Sequence, residues 1–422
     1  MPRFPARARR WFAAALPGTM LFAALPALSA RPAGDPSCAW GGKVTVDDQN
    51  TLFPESHAAY WSTAFVVHPG LRIGLTGAFP DSRFMSLTVY KGEGGAFSVN
   101  GVDSTLTDYE IAPDPGTVNP WHPPHQQRPQ LRAAGTYQID MVADPSPGTP
   151  NVVPLAPAGT ADGTVGRLVY RIYLPSGGDF DATPLPQLTL YRDGVATTLP
   201  VCAADGRTSA QVAEPAAAAA ADAPGDISFA RPSPDLGLLP NTDSGYIAAV
   251  LAPPGGDQVL VIRGRGARSA HGEHPSPWPQ PDEDLRYWSL CVNLDNAQRS
   301  LVANVLPDGT TDYGCRDDDE TLLDASGYYT YVVATEAQRA AVEQIPGVTF
   351  VPWSATRPHA THLIFLRNML ANSHFGPAVQ NVAADQDPAT AQAAMGEYYP
   401  RDAICPLATV EAAEAGACLD GS

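Results

Sequence analysis

The chain has 422 residues, of which 43 are Pro and 37 are Gly, too much punctuation for long helices and well suited to many short strands joined by turns. Its 44 acidic side chains outnumber 26 Lys plus Arg, a formal charge of −18. Such a surface repels phosphate backbones and argues against nucleic acid and anionic lipid as partners.

Residues 1–30 read as a signal peptide. Arg3, Arg7, Arg9 and Arg10 form a basic start, an apolar run follows from Trp11 to Leu28, and small residues lead to Ala30. Arg9-Arg10-Trp11-Phe12 resembles a twin-arginine signal, with a general secretory signal as the alternative. No later stretch reaches membrane-spanning length. The expected location is secreted or periplasmic and cell-envelope, without a membrane span.

Beyond the signal, five blocks occur twice in the same order. Phe53-Pro54 with Tyr60 matches Leu239-Pro240 with Tyr246, and the apolar run ending at Gly77 matches the one ending at Gly264. Asp81-Ser82-Arg83-Phe84-Met85-Ser86-Leu87 returns as Asp284-Leu285-Arg286-Tyr287-Trp288-Ser289-Leu290. The segment from Gly135 to Met141 pairs with Gly327 to Val333, and Leu168 to Leu174 pairs with Ile364 to Leu370. These blocks are β-branched, aromatic or alternating, which predicts strands. The fold class is therefore all-β, mainly antiparallel, as two pseudo-repeated β-sandwich or jelly-roll-like lobes with a short helical C-terminal tail around Ala389 to Ala394. The expected boundaries are a first lobe at 35–210, an Ala/Pro linker at 211–225, a second lobe at 226–385 and a tail at 386–422. At roughly 160 to 180 residues, each lobe is large enough to bury its own core.

All six cysteines follow the signal, which fits an oxidising compartment. Proximity along the chain pairs Cys291 with Cys315 and Cys405 with Cys418, leaving Cys38 with Cys202 to tie the first lobe's beginning to its end. The absence of a CxxC argues against a zinc ribbon or a redox pair.

Arginines interrupt the apolar strands at Arg83, Arg171, Arg286 and Arg367. Strand alternation puts Arg83 on the face of Met85 and Leu87, and Arg286 on the face of Trp288 and Leu290. One reading pairs each guanidinium with the aspartate of its own strand or with carbonyls, because a buried charge needs a partner. The other has the four arginines presenting planar donors to a small anionic ligand. Trp121 and Trp278, in proline-rich loops, are the aromatics expected to be exposed in a glycan-binding platform.

Among the His-x-x-His pairs, Pro123-Pro124 hold His122 and His125 about 9 Å apart in polyproline geometry. Strand alternation separates His359 from His362. Only His271 and His274, with Glu273, are free to gather around a transition metal, and they lie in an insertion specific to the second copy. The run from Asp308 to Asp312 and Asp317-Asp318-Asp319-Glu320 has the oxygens for calcium without EF-hand spacing. A solvated loop is the plainer reading of both, so no cofactor is required.

No Gly-x-Ser-x-Gly, His-Glu-x-x-His, Walker or Gly-x-Gly-x-x-Gly pattern is present. A carboxylate-pair hydrolase needs no local signature and stays open as an alternative.

Tyr60-Trp61, the Asp-x-Arg-Phe-x-Ser-Leu strand with Val89-Tyr90 after it, Asp108-Tyr109-Glu110-Ile111 and the segment Asp114 to Pro120 resemble exported bacterial proteins of unknown function with tandem β-sandwich-like repeats. The resemblance implies β-sandwich lobes and supplies no catalytic residues. The sequence thus points to a non-catalytic binding protein for a small anionic or glycan ligand, with the hydrolase and the metal protein as rivals.

Overall fold

The computed structural model describes residues 36–51, 53–92, 95–123, 135–203, 228–232, 241–296 and 298–420. Residues 1–30, expected to be a signal peptide, the alanine-rich stretch 211–225, Leu239-Pro240 and His125 lie outside the described residues.

In the first half the strands are β1 (Ala58–Val66), β2 (Arg72–Ala78), β3 (Ser82–Tyr90), the hairpin β4 (Ser98–Val99) and β5 (Val102–Asp103), and β6 (Thr105–Thr107). Then come β7 (Thr136–Val142), β8 (Val152–Pro154), β9 (Val165–Pro175), β10 (Gln187–Arg192) and β11 (Val195–Thr198). The second half holds β12 (Ser244–Leu251), β13 (Gln258–Arg265), β14 (Leu285–Leu294), the hairpin β15 (Ala303–Val305) and β16 (Thr311–Tyr313), and β17 (Cys315–Asp317). It ends with β18 (Tyr328–Ala334), β19 (Thr349–Pro352), β20 (His362–Ala371) and β21 (Arg401–Pro406). Among the described residues the α-helices, α1 (Arg339–Val342), α2 (Pro388–Met395) and α3 (Leu407–Asp420), fall in the second half.

The fold is all-β and mostly antiparallel, and its sheets come in matching pairs. One sheet runs β1-β9-β3-β6 and its counterpart β12-β20-β14-β17; the second runs β11-β10-β2-β7-β8 and its counterpart β21-β13-β18-β19. Even the exceptional parallel pairing recurs, as β7 with β8 and β18 with β19. A shared packing detail explains the glycines that close the two apolar runs. Gly77 lies beside Tyr137 and Gly264 beside Tyr329, and a Cβ there would sit 2.6 Å and 2.5 Å from the respective ring hydroxyls. Only glycine leaves room for the neighbouring aromatic ring.

Alternation gives each pair of sheets a core. Ile73, Leu75, Met85, Leu87, Tyr137, Ile139, Tyr170 and Ile172 meet in the first half, and Leu260, Ile262, Trp288, Leu290, Tyr329, Tyr331, Ile364 and Leu366 in the second. β21 adds to the sheet through β13, so residues after 385 complete that sheet as well as packing on it. α3 then covers its outer face through Val410, Cys418 and Leu419. The disulfides are Cys38–Cys202, Cys291–Cys315 and Cys405–Cys418, the pairings that chain proximity indicates.

β3 and β14 are buried at every position, which a sheet with one wet face does not allow. Their outward residues pack at a junction between the halves, where Ala58, Phe84, Tyr173 and Leu174 meet Tyr287 and Met369. The segment ahead of β1 also crosses to the second half. Asn50 exchanges two hydrogen bonds with Leu301, at 2.8 and 2.6 Å, and Phe53 packs on Phe365.

Candidate functional site

The four strand arginines all lie at this junction, and each faces a carboxylate contributed by the other half. From β3, Arg83 donates to Gly272 O at 2.6 Å, to Asp318 Oδ1 at 2.6 Å and to Asp319. From β14, Arg286 donates to Arg83 O at 2.9 Å and lies 3.4 Å from Asp108 Oδ2. Arg171 interacts with Asp243, Tyr90 and, at 2.9 Å, Thr88 Oγ1, while Arg367 pairs with Glu55. Asp108 follows β6 and Asp318 follows β17, equivalent places in matching sheets, so the Arg83 and Arg286 contacts are reciprocal.

Own-strand pairing is thus corrected. Asp81 faces His274 at 2.9 Å, and Asp284 binds Arg268 at 2.7 Å. The acid at each strand's own mouth already serves another partner, which leaves the buried guanidinium to a carboxylate from across the junction. The arginines do not line an open cleft: Arg83, Arg171, Arg286 and Arg367 are all buried, and their neighbours already include anions.

Burial sets the charge states here. It pushes Asp108 up to about 6 against the pull of Arg286, and Asp318 up to about 6 against Arg83. Asp319 is more open: burial still opposes its charge, but Arg83 and His271 outweigh it and hold the carboxyl below its ordinary value.

The insertion histidines are junction contacts too. His271 Nδ1 lies 2.6 Å from Asp319, Glu273 accepts from Gly177 N at 2.7 Å, and His274 turns to Asp81. The three side chains therefore face three different partners and do not converge on one point. The acidic run is similarly dispersed. Asp308 caps Thr310, Asp312 lies between Arg316 and Arg339, and the rest face Arg83 or His57.

Among the described residues, two clusters bring metal-type ligand atoms within 4.8 Å of one another. In one, Glu55 meets the disulfide-bonded Cys291 and Cys315, whose sulfurs are not free to ligate. In the other, His57 Nδ1 faces Asp317 at 3.7 Å and Nε2 faces Glu320 at 3.5 Å. Burial alone would lower the His57 pKa, but Glu320 and Asp317 outweigh it and raise it. Acids on opposite ring nitrogens suit a bridging imidazolium, since one ion binds only one of them.

The expectation of an exposed tryptophan platform is also corrected. Trp121 is 0% exposed and donates its indole N–H to Arg83 O at 3.1 Å; Trp278 is 4% exposed, with Arg286 5.1 Å from its ring. Loop position misled because both proline-rich loops fold into the junction, where Trp278 N donates to Trp121 O.

Trp278 also belongs to the lining of an open pocket of about 280 Å3 between the halves, with Tyr109 from the first half and Asp243, Asn372, Gln380 and Asn381 among those from the second. The three amides use their NH2 groups on the protein itself. Asn372 donates to Gln280 O at 2.7 Å, Gln380 to Asn368 O at 2.8 Å and Asn381 to Gly376 O at 3.0 Å. Gln380 Oε1 is sealed from solvent without a hydrogen-bond partner among the described residues. Asp243 is pushed up to about 7 by burial, which outweighs the pull of Arg171 and Ser86. Sequence reading missed this set because Asn372, Gln380 and Asn381 follow β20 in a segment without periodicity. The available signal was Asp243, placed three residues before Tyr246 as His57 is before Tyr60.

No family model matches the chain, and no curated protein matches it. Among solved structures it is similar to an uncharacterised protein from Burkholderia cenocepacia, at 15% identity over 90% of this chain and 86% of that one, with a TM-score of 0.49. It is also similar to a protein from Vibrio parahaemolyticus, at 12% identity over 78% of this chain and 88% of that one, with a TM-score of 0.40.

Proposed function

We propose that this chain is an exported, non-catalytic binding protein whose ligand site is the pocket lined by Tyr109, Asp243, Trp278, Asn372, Gln380 and Asn381. One observation carries the reading: where the two halves meet, an open pocket of about 280 Å3 is lined by Trp278 and Tyr109 together with hydrogen-bonding side chains, a combination of rings and polar groups that small-ligand sites use. Three disulfides suit an oxidising compartment outside the cytoplasm. The ligand is small and forms hydrogen bonds, a description that glycan units and amines both meet.

The test is a thermal-shift screen of the oxidised chain from Arg31 against monosaccharides, amines, organic acids and divalent ions. A ligand at a hundred times its Kd stabilises the folded state by about 2.7 kcal/mol, which raises Tm measurably. A saturable shift that Trp278→Ala removes supports the site. Shifts that persist in that folded variant place binding elsewhere and overturn it.

A further inference from the structure

Resting on the reading of this pocket as the ligand site, the charge and hydrogen-bonding character of its wall narrow the ligand class. We propose that the pocket takes a neutral polyhydroxylated ring, the terminal sugar unit of a glycan, in preference to an amine or a carboxylate of the same shape. Charge comes first. No Lys or Arg is among the lining residues, and Asp243 is their only carboxylic acid. Burial pushes it up to about 7 against the pull of Arg171 and Ser86, and its Oδ2 is sealed from solvent. Burial likewise pushes Tyr109 up to about 12, so its phenol is neutral. A charged ligand would shed hydration here without meeting a free counter-charge, which costs affinity.

The uncharged polar groups are of both kinds. Ser373 and Tyr109 contribute hydroxyls that donate and accept, and Thr242, which gives its proton to Thr105 Oγ1 at 2.8 Å, keeps lone pairs to accept. Gln380 spends one N–H on Asn368 O at 2.8 Å and has a second to donate, while its Oε1 is sealed and takes no part. Exposed Asn381 sets its NH2 against Gly376 O at 3.0 Å and Phe375 O at 3.4 Å, which leaves its carbonyl oxygen as an acceptor. A ligand hydroxyl answers donors and acceptors alike, whereas an ammonium only donates and a carboxylate only accepts. Leu370, Ala371, Trp278 and Tyr109 add apolar surface, which suits the C–H faces of a sugar ring. The volume of about 280 Å3 lies just below the roughly 300–1,000 Å3 of pockets for drug-sized ligands, and so fits one such ring. Because the pocket is open, further units of the chain extend into solvent.

Calorimetry of the oxidised chain from Arg31 at pH 6 with the methyl glycosides of glucose, galactose and mannose, their 2-amino sugars and their uronates varies charge on one frame. At least one methyl glycoside is expected to bind saturably, at least tenfold more tightly than its amino and uronate counterparts. Tetrahydropyran, the ring without hydroxyls, is expected not to bind. Ser373→Ala and Gln380→Leu are each expected to weaken the sugar severalfold, and Trp278→Ala to abolish its binding; should Trp278→Ala not fold, the first two variants locate the site. An amino sugar, a uronate or tetrahydropyran that binds at least as tightly, and is weakened by these substitutions, overturns the neutral sugar while the pocket reading stands. Binding of an aliphatic amine or organic acid with the same dependence, and none by the sugars, has the same meaning. Sugar binding unchanged in every folded variant lies elsewhere and overturns both readings. No binding by any compound, the wider screen included, removes both as well.

Discussion

His57 and Asp243 occupy the same corner in the two halves. Each precedes the first strand of its sheet, and their carbonyls accept from Leu174 N at 3.0 Å and Leu370 N at 2.8 Å respectively. Beside each is a turn closed by a glutamate: Glu320 accepts from Asp317 N at 3.3 Å, and Glu110 from Thr107 N at 2.9 Å. The side chains reverse the electrostatics. Around His57 an imidazole stands among Glu55, Asp317 and Glu320; around Asp243 a buried acid answers Arg171 and Ser86 while Glu110 and Asp108 oppose its charge, and the pocket lies beside it. One backbone frame therefore gives a sealed corner or a receptive one according to which residue carries the charge.

The largest effect that would sharpen this comparison is at the reciprocal arginines. Arg83→Met strands the sealed Asp318 along with Asp319, and is expected to cost about 3–5 kcal/mol in denaturant unfolding. Arg286→Met leaves Asp108, which like Asp318 takes a proton near pH 6, and strands no counterpart of the low-titrating Asp319, so its cost below that pH should be the smaller of the two. Equal costs at pH 5 would show that the two sides are energetically alike and break the comparison.

Next in size is the pH dependence of the unmodified protein. Folded Asp108 and Asp318 hold protons up to about pH 6, and Asp243 up to about pH 7, whereas an unfolded aspartate releases its proton near 4. Between those values the folded state binds more protons than the unfolded one, so stability falls as pH rises. His57 acts in the same direction: its contribution is full below about 6.5 and is lost as pH passes its raised folded value. Asp319 and Glu320 oppose this under acid conditions, since their depressed values give stability present above about 4 and lost below it. Thermal unfolding should therefore show a maximum near pH 4, with several kcal/mol lost by pH 8. A maximum at pH 8 would contradict this account of the buried acids.

The smallest effect belongs to the sealed corner alone. His57→Ala is expected to cost about 1 kcal/mol at pH 5 and little at pH 8, read as a flattened stability profile between them. A cost independent of pH would mean that His57 contributes packing and not charge.

The strands around Arg83 and Arg286 were legible because alternation and the Asp-x-Arg spacing are local, and the disulfides because proximity along the chain decided them. That the arginines need partners also followed from their apolar surroundings. Which partners they take did not, because Asp108, Asp318 and Asp319 reach them only across the junction. No rule of spacing within one half describes that exchange. Trp121 and Trp278 were placed outside for a related reason: a proline-rich loop looks solvated until a second surface covers it. The pocket forms where Tyr109 of one half meets residues of the other, a meeting that no local pattern marks.

The crossing of Arg83 to Asp318 and of Arg286 to Asp108 bears on how this chain can vary. Neither half is a transplantable module. A graft of the second half alone would carry Arg286 and Arg367 without Asp108 and Glu55, and would need new residues at both arginines before it could stand in solvent. Substitutions at these positions are therefore tolerated in pairs drawn from opposite ends of the sequence, and a change on one side of the junction constrains which residue the other side can accept.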